Sequence, residues 1–272
     1  MDHGLHFIAG LPRSGSTLLA ALLRQNPRLH AGMTSPVGSL FGALLHTMSQ
    51  ASEGAVFIDD DRRQALLRAV FDAYYHRIHP EKLVFDTNRV WCTRLPALAA
   101  LFPAAKVIAC VRDVPWVLDS VERVVRQNRF EPSGLFRFDA AGTVYSRVEA
   151  LAGGTGMVGF AYNALREACF GEQADRVMLL TYETLTEHPA EALAAVYDFI
   201  GEPGFPHDFE HVSYDEAREF DSRLGTPGLH TVAPVVRRAE RRTILPPDMF
   251  ARYAQDTFWR DPLRVPAGLR VI

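Results

Sequence analysis

The sequence has few cysteines, and their placement excludes two classes of protein. Cys92, Cys110 and Cys169 are odd in number and widely separated along the chain. They form neither the framework of a disulfide-rich secreted domain nor the close spacing of a metal site. Reduced thiols are typical of the cytosol, and no basic and apolar leader precedes the first strand. We therefore expect a cytoplasmic protein without a bound metal.

Net charge and long apolar runs are also scarce. The 272 residues include 29 Lys and Arg against 32 Asp and Glu, which gives a formal net charge of −3. This near balance argues against a general nucleic-acid-binding surface. No uninterrupted apolar stretch reaches the roughly 20 residues that a membrane-spanning helix needs. The sequence therefore predicts a protein that acts neither on nucleic acid nor in a membrane.

Short apolar runs do occur, and they alternate with amphipathic segments. Four of them are predicted to be buried strands: Leu5–Gly10, Lys82–Asp86, Ala105–Asp113 and Arg176–Glu183. Helical periodicity predicts helices over Ser16–Gln25, Pro36–Gln50, Arg62–Arg77, Leu95–Phe102, from Pro115 onward, Tyr145–Gly171, Pro189–Ile200 and Pro246–Phe258. The alternation predicts an α/β, P-loop-type three-layer fold with a mainly parallel central sheet flanked by helices, in one domain over residues 1–272. Such sheets bind ligands at the carboxyl ends of their strands.

The loop after the first strand nearly matches a phosphate-binding loop but lacks its lysine. Gly10, Gly15 and Thr17 fit the pattern G-x-x-x-x-G-K-[ST], whereas Ser16 stands at the lysine position. The free N–H groups of the following helix still favour an anion. The only cation in the loop is Arg13, three residues before the lysine position. This arrangement favours two anionic groups in tandem over a magnesium-bound triphosphate.

The stretch PRSGSTLL, residues 12–19, resembles the 5′-phosphosulfate-binding motif of sulfotransferases, in particular tyrosylprotein sulfotransferases and bacterial relatives. These enzymes use 3′-phosphoadenosine 5′-phosphosulfate (PAPS) as donor without a metal and release the 3′,5′-bisphosphate (PAP). The resemblance implies a transferase in which Arg13 is a catalytic cation. The alternative for the loop alone is a chance Gly-Ser turn before a helix.

A second stretch, VIACVRDVPWVLDSV, resembles the 3′-phosphate motif of the same family. Arg112 ends a predicted strand and Ser120 follows eight residues later. Tyr182 and the glycine-containing loop GTPGLH resemble the adenine contact and the covering loop, although a helix anchor and an ordinary turn are alternatives. The donor contacts that the resemblance implies are Arg13, Ser14, Gly15, Ser16, Thr17, Leu18, Arg112, Ser120, Tyr182, Arg223, Gly225, Thr226 and His230.

The catalytic groups depart from the family pattern. The family has a glutamate after the first helix, where this chain has AGMTSP without a carboxylate. Asp86 ends a predicted strand and is the first candidate for the general base, with a structural cap as its alternative. His30 is the second candidate. Arg89 is near the position of a family lysine and can replace it, with an exposed surface position as its alternative. A strongly nucleophilic acceptor needs no base.

The sequence thus predicts a PAPS-dependent sulfotransferase that modifies a hydroxyl or amine of a small-molecule acceptor. Residues 129–143 carry aromatic side chains and are predicted to form an acceptor-site loop, or else to pack on the body of the domain. Residues 201–243 are predicted to be irregular and to cover the nucleotide. The alternatives are a P-loop phosphotransferase or NTPase and a catalytically inactive nucleotide-binding relative. The resemblance also admits a homodimer.

Overall fold

A computed structural model of the chain describes residues 4–49, 52–78, 80–139 and 141–272. Within these residues, six parallel strands form one sheet in the order β2-β3-β1-β4-β5-β6. The strands are β1 (Leu5–Gly10), β2 (Leu29–Ala31), β3 (Leu83–Thr87), β4 (Val107–Val111), β5 (Val177–Thr181) and β6 (Arg270–Val271). The parallel sheet predicted from the sequence is confirmed.

Helices cover both faces of this sheet. They are α1 (Ser16–Leu23), α2 (Val37–Thr47), α3 (Asp60–Tyr75), α4 (Leu95–Leu101), α5 (Val114–Gln127), α6 (Val144–Ala152), α7 (Met157–Phe170), α8 (Tyr182–Glu187), α9 (Pro189–Ile200), α10 (Ala217–Arg223) and α11 (Pro247–Arg252). None of the described helices is both long and apolar enough to cross a lipid bilayer.

Alternate strand residues pack into two separate cores. Phe7 and Val107 belong to the larger core, which α2 to α7 and α11 cover. Ile8 and Ile108 belong to the smaller core, which α1, α8 and α9 cover. Because successive side chains of a strand point to opposite faces, one apolar run supplies both cores. The result is the three-layer α/β arrangement that the alternation predicts.

Several element boundaries differ from the sequence prediction. Strand β5 ends at Thr181 rather than Glu183, because the Thr181 hydroxyl accepts a hydrogen bond from Thr184 N and caps α8. The short edge strands β2 and β6 and the helix α10 within 201–243 were not predicted. Strands of two or three residues give too short a pattern to recognise. The end of the predicted helix Pro36–Gln50 lies outside the described residues.

The end of β1 lies unusually close to β4. Gly10 has a φ of +101°, and a Cβ at this position would lie 2.2 Å from the carbonyl oxygen of Cys110. Only glycine fits both this conformation and this contact. The following loop therefore begins at the carboxyl edge of the sheet, between the ends of β3 and β4.

Candidate active site

A cavity of about 700 Å³ lies at the carboxyl edge of the sheet. The loop after β1 forms its floor, and residues just after β3, β4 and β5 contribute Arg89, Arg112 and Tyr182. The irregular segment after α10 closes the opposite side with Leu229 and His230. Residues that follow β1, β3, β4 and β5 therefore all line one cavity.

Two left-handed residues shape the loop after β1. Arg13 has a φ of +58° and Gly15 a φ of +96°. A non-glycine residue in this region is uncommon and costs about 1–3 kcal/mol. The conformation turns the first turn of α1 toward the cavity, where Gly15, Ser16, Thr17 and Leu18 line the wall. The strain thus accompanies an anion-binding geometry.

The structure joins the two sequence motifs. The Arg13 Nε donates a hydrogen bond to the Ser120 Oγ at 3.1 Å, across 107 positions of the chain. Arg112 Nη1 donates to the Arg13 carbonyl oxygen at 3.4 Å. The Arg112 guanidinium also lies 4.0 Å from the centroid of the Tyr182 ring. Four of the predicted site residues therefore form one contiguous group.

Arg241, which the sequence analysis missed, joins this group. It lines the cavity, and one of its terminal nitrogens lies 3.1 Å from the buried carboxylate of Asp119. The Nε atoms of Arg112 and Arg241 are both buried and lack a hydrogen-bond partner among the described residues. Unused donors on buried cations are costly unless an anion satisfies them.

Burial lowers the pKa of all three arginines, and for Arg13 and Arg112 the neighbouring guanidinium groups add to this effect. Burial, followed by the charge of Arg112 and including that of Arg241, lowers the pKa of Arg13 to about 10. Burial also lowers the pKa of Arg112 and of Arg241. A bound anion would relieve both the repulsion and the lost hydration. We call Arg13, Arg112 and Arg241 the arginine cluster.

The described residues that line the cavity include no Asp or Glu. Five arginines line it: Arg13, Arg89, Arg112, Arg237 and Arg241. A cavity with this composition is suited to an anionic ligand, and it offers no carboxylate to accept a proton.

Asp86 does not face the cavity, contrary to the prediction of a general base. It shares a strand face with Val84 and is fully buried in the larger core. Its carboxylate accepts hydrogen bonds from Ser35 Oγ at 2.6 Å, Tyr75 Oη at 2.6 Å and Trp91 Nε1 at 2.7 Å. Burial raises the pKa of Asp86 against the effect of these bonds. Asp86 therefore ties β3 to the helices that cover it.

Replacing Asp86 by alanine is expected to reduce the free energy of unfolding by at least about 3 kcal/mol. Three buried donors would lose their acceptor, and each such loss costs about 1–3 kcal/mol. Urea unfolding of the wild type and the Asp86→Ala variant measures the difference. A variant that unfolds at the wild-type urea concentration would contradict this structural role.

His230 is held by a buried carboxylate. Asp221 accepts the backbone N–H of His230 at 2.8 Å, and its second oxygen lies 2.5 Å from Nδ1. Because Nδ1 faces the carboxylate, we assign the proton to Nδ1, which leaves Nε2 as an acceptor. Burial, together with the charges of Arg13 and Arg89, lowers the pKa of His230 although Asp221 opposes this. The sequence analysis expected only a nucleotide contact at this position.

Three further predicted residues lie outside the cavity lining. Arg223 is exposed and pairs with Glu219 at 2.6 Å. The buried Thr226 hydroxyl lies 2.6 Å from Ser133 Oγ. The hydroxyl of Ser14 donates to its own loop, at Pro12 O. None of these three lines the cavity, because each is directed to its own segment or to a neighbouring loop.

The predicted acceptor-site loop is attached to the covering segment. Gly134 N donates to Leu224 O at 2.8 Å, and Gly225 has a φ of +64° against the Pro132 carbonyl. A Cβ at Gly225 would lie 2.5 Å from that oxygen, so this glycine serves the docking of the two loops. Within the described part of 129–143, Leu135 lines the cavity.

His30 also lies away from the cavity. It is in β2, and its ring centroid lies 5.8 Å from that of Tyr75. Burial lowers the pKa of His30. Its place in the edge strand and its contact with Tyr75 make it a packing residue, which corrects its prediction as a second base.

Known proteins support the fold and the family. Protein-tyrosine sulfotransferase 1 of Mus musculus is 31% identical over 121 residues, which is 41% of this chain and 32% of the mouse protein. The Danio rerio protein of the same name is 24% identical over 208 residues, which is 74% of this chain and 54% of that protein. The chain thus spans about a third to about half of the length of these curated relatives.

A solved structure has a similar fold. The sulfotransferase domain from the curacin biosynthetic pathway superimposes with a TM-score of 0.52 and 17% sequence identity, covering 98% of this chain and 94% of that domain. A family model described as the sulfotransferase family matches residues 6–207, which include the loop after β1, Arg112, Ser120 and Tyr182. With three quarters of its length accounted for by that match, this chain is a member of the sulfotransferase family.

Proposed function

We propose that the protein transfers a sulfonate group from PAPS to a hydroxyl or amine of a small-molecule acceptor. The observation that carries this proposal is that the loop without a lysine lies directly beside the arginine cluster, in contact with it through Arg13. This arrangement offers two adjacent anion positions, and PAPS carries anionic groups at both its 5′ and 3′ ends.

The described residues fit this donor. The loop N–H groups and the Ser16 and Thr17 hydroxyls would hold the 5′-phosphosulfate. Arg112 and Arg241 would hold the 3′-phosphate, because their buried Nε atoms otherwise lack acceptors. Tyr182, already stacked on Arg112, offers a ring face to the adenine. Bound PAPS would supply an electrophilic sulfonate.

His230 would take the proton from the acceptor. Nε2 of His230 would accept the proton of the acceptor hydroxyl or amine as that group takes the sulfonate, and the 5′-phosphate of the donor would be the leaving group. Asp221 keeps the ring in the required tautomer and stabilises the imidazolium. Arg13 would neutralise the charge that develops on the leaving phosphate. The products are the sulfated acceptor, PAP and one proton.

The first experiment is a thermal-shift titration with PAP in chelator, compared with ATP and magnesium. A ligand at 100 times its dissociation constant adds about 2.7 kcal/mol to stability. We expect stabilisation by PAP alone, and we expect the Arg112→Ala variant to bind PAP roughly tenfold to a hundredfold more weakly, since it loses charged hydrogen bonds. The control is Arg166→Ala, since Arg166 is exposed on α7.

Stabilisation by ATP with magnesium and not by PAP would instead support the alternative, a phosphotransferase or NTPase. That alternative is disfavoured by Ser16 at the lysine position. Tight PAP binding without turnover of any acceptor would favour the inactive relative. The wild-type response to PAP thus separates the donor assignment from the question of activity.

We also expect this protein to act in the cytoplasm and not on nucleic acid or in a membrane. Its three cysteines are free and buried, and burial raises the pKa of Cys92 and Cys110 to about 12. Such inert thiols suit a reducing compartment. The homodimer stays a prediction that light scattering of the purified protein tests.

A further inference from the structure

The cavity contains a cation that the donor does not require. Arg89 lies two residues after β3, whereas Arg112 directly follows β4. Strand β1 separates β3 from β4 in the sheet. Because neighbouring strands lie about 4.8 Å apart, the axes of β3 and β4 are about 10 Å apart. Arg89 therefore lies across the β1 loop from the arginine cluster.

Arg89 also differs from the arginine cluster in its partners. Arg13 bonds Ser120, Arg112 stacks on Tyr182, and Arg241 pairs with Asp119. The Arg89 side chain makes no hydrogen bond or ion pair with any residue in the described ranges. Arg89 is solvent-exposed and lines the cavity, where desolvation by the surrounding protein lowers its pKa. Arg237 is also exposed and without a partner among the described residues, but it lies on the segment that carries Arg241 and therefore on the side of the arginine cluster.

A buried hydroxyl lies on the same side of the loop. Thr87, the last residue of β3, is 6% exposed and lines the cavity. Its Oγ1 is buried and has no hydrogen-bond partner among the described residues. Buried hydroxyls are nearly always satisfied, so this one calls for a partner from the ligand. Thr87 and Arg89 together offer hydrogen-bond donors to a ligand, and neither side chain carries a negative charge.

The wall around these donors is apolar. Helix α7 packs on the 3-10 turn that begins at Arg89, and it contributes Met157 and Phe160 to the cavity. Met33 and Val90 line the same side. An apolar compartment with a few fixed polar groups is typical of small-molecule sites. These groups set the orientation of the ligand.

We infer that Arg89 and Thr87 bind a carboxylate of the acceptor, so that the substrates are apolar hydroxy acids. This inference rests on the proposed function. The planar guanidinium matches a carboxylate with two parallel hydrogen bonds. His230 lines the same cavity and is close enough to both Arg13 and Arg89 for their charges to lower its pKa. One molecule can therefore reach from the base to this carboxylate site. The apolar wall accommodates the hydrocarbon between the two groups.

The test compares 4-hydroxyphenylalkanoic acids of increasing chain length with their methyl esters. Each pair shares the hydroxyl, the ring and the chain, and differs in the negative charge. Calorimetry measures their binding to the PAP-saturated protein, and a sulfonate-transfer assay measures kcat and KM. We expect the best acid to bind roughly tenfold or more tightly than its ester. Arg89→Ala should remove this preference by weakening the acid alone, whereas Arg166→Ala should retain it.

Thr87→Val supplies an independent variant. It keeps the shape of the side chain and removes the hydroxyl, so it should reduce the preference for the acid by a few-fold. Circular dichroism and PAP binding check that each variant is folded and binds the donor.

Three outcomes would overturn the inference. Acids and esters of every chain length could bind equally well. The preference for the acid could survive in Arg89→Ala. In Arg89→Ala, the rate of transfer to acids and to esters could fall equally while their binding is unchanged. Arg89 would then act on the sulfonate, as the sequence analysis expects of the residue that replaces the family lysine. Acid and ester binding is measured without turnover. Failure of the proposed transfer reaction can therefore be distinguished from failure of the proposed carboxylate site.

Discussion

Replacing Arg13 by alanine is expected to lower kcat for sulfonate transfer by roughly a hundredfold to a thousandfold. A preorganised donor at a developing negative charge has about this effect when it is removed. Arg13 lies at the junction of the two motifs, and its hydrogen bond to Ser120 fixes the guanidinium. A substitution there removes charge stabilisation from the transition state.

The folded state should tolerate this substitution. Arg13 occupies a strained φ of +58°, and burial and Arg112 together lower its pKa to about 10. Removing a crowded cation relieves repulsion within the arginine cluster. Arg13→Gly additionally suits the left-handed conformation and should be the more stable of the two variants. Urea unfolding compares them with the wild type.

The measurement combines steady-state kinetics with PAP binding. Arg13→Ala should reduce kcat far more than it weakens PAP binding, whereas Arg112→Ala should show the reverse pattern. The contrast separates a charge needed in the transition state from one needed for the bound nucleotide. An Arg13→Ala enzyme that retains more than about a tenth of wild-type kcat would remove Arg13 from the catalytic role.

Replacing His230 by alanine is the second change with a large expected effect, a loss of roughly a hundredfold to ten-thousandfold in kcat. No carboxylate lines the cavity among the described residues, so no Asp or Glu there can replace His230 as the base. Asp221→Asn should cause a smaller loss, because the ring stays in place while its tautomer is no longer enforced. His46→Ala is the control, since His46 is exposed on α2.

The pH dependence of kcat/KM also tests His230 as the base. His230 must be neutral to accept a proton, and burial lowers its pKa below the ordinary 6.5. The decrease of kcat/KM toward acid, as the imidazole becomes protonated, should therefore have its midpoint below the ordinary histidine pKa of 6.5. In Asp221→Asn the loss of a raising charge should shift this decrease further toward acid. A profile without an acid limb, or one unchanged in His230→Ala, would contradict the assignment.

The size of the His230→Ala effect should depend on the acidity of the acceptor. An ionised phenol needs no base, so its transfer rate should depend weakly on His230. An aliphatic alcohol has a much higher pKa and should depend on it strongly. Comparing the His230→Ala loss for these two acceptor types therefore tests proton transfer itself, since a role in packing would affect both equally.

The sequence by itself determined the parallel sheet, and it predicted an anion site in the loop after β1. The glycines, the hydroxyls and the helix start of residues 10–17 are neighbours in the chain, and their backbone N–H groups converge without help from distant residues. The continuous apolar run before Arg112 likewise specifies a buried parallel strand. Arg13 and Arg112 follow such local patterns directly, whereas Ser120 and Tyr182 were predicted from the resemblance of short segments to sulfotransferase motifs.

The tertiary structure decided which side chains face the cavity. Side chains of a strand alternate between two faces, so Asp86 and Thr87 are adjacent in sequence but one enters the core and the other lines the cavity. Only the packing of helices on β3 fixes which is which. Arg241 and His230 come from an irregular segment without a periodic pattern, and Asp221 comes from the short helix α10. Their positions depend on contacts with α5 and the β1 loop, which act across more than a hundred residues of chain and leave no local pattern in the sequence.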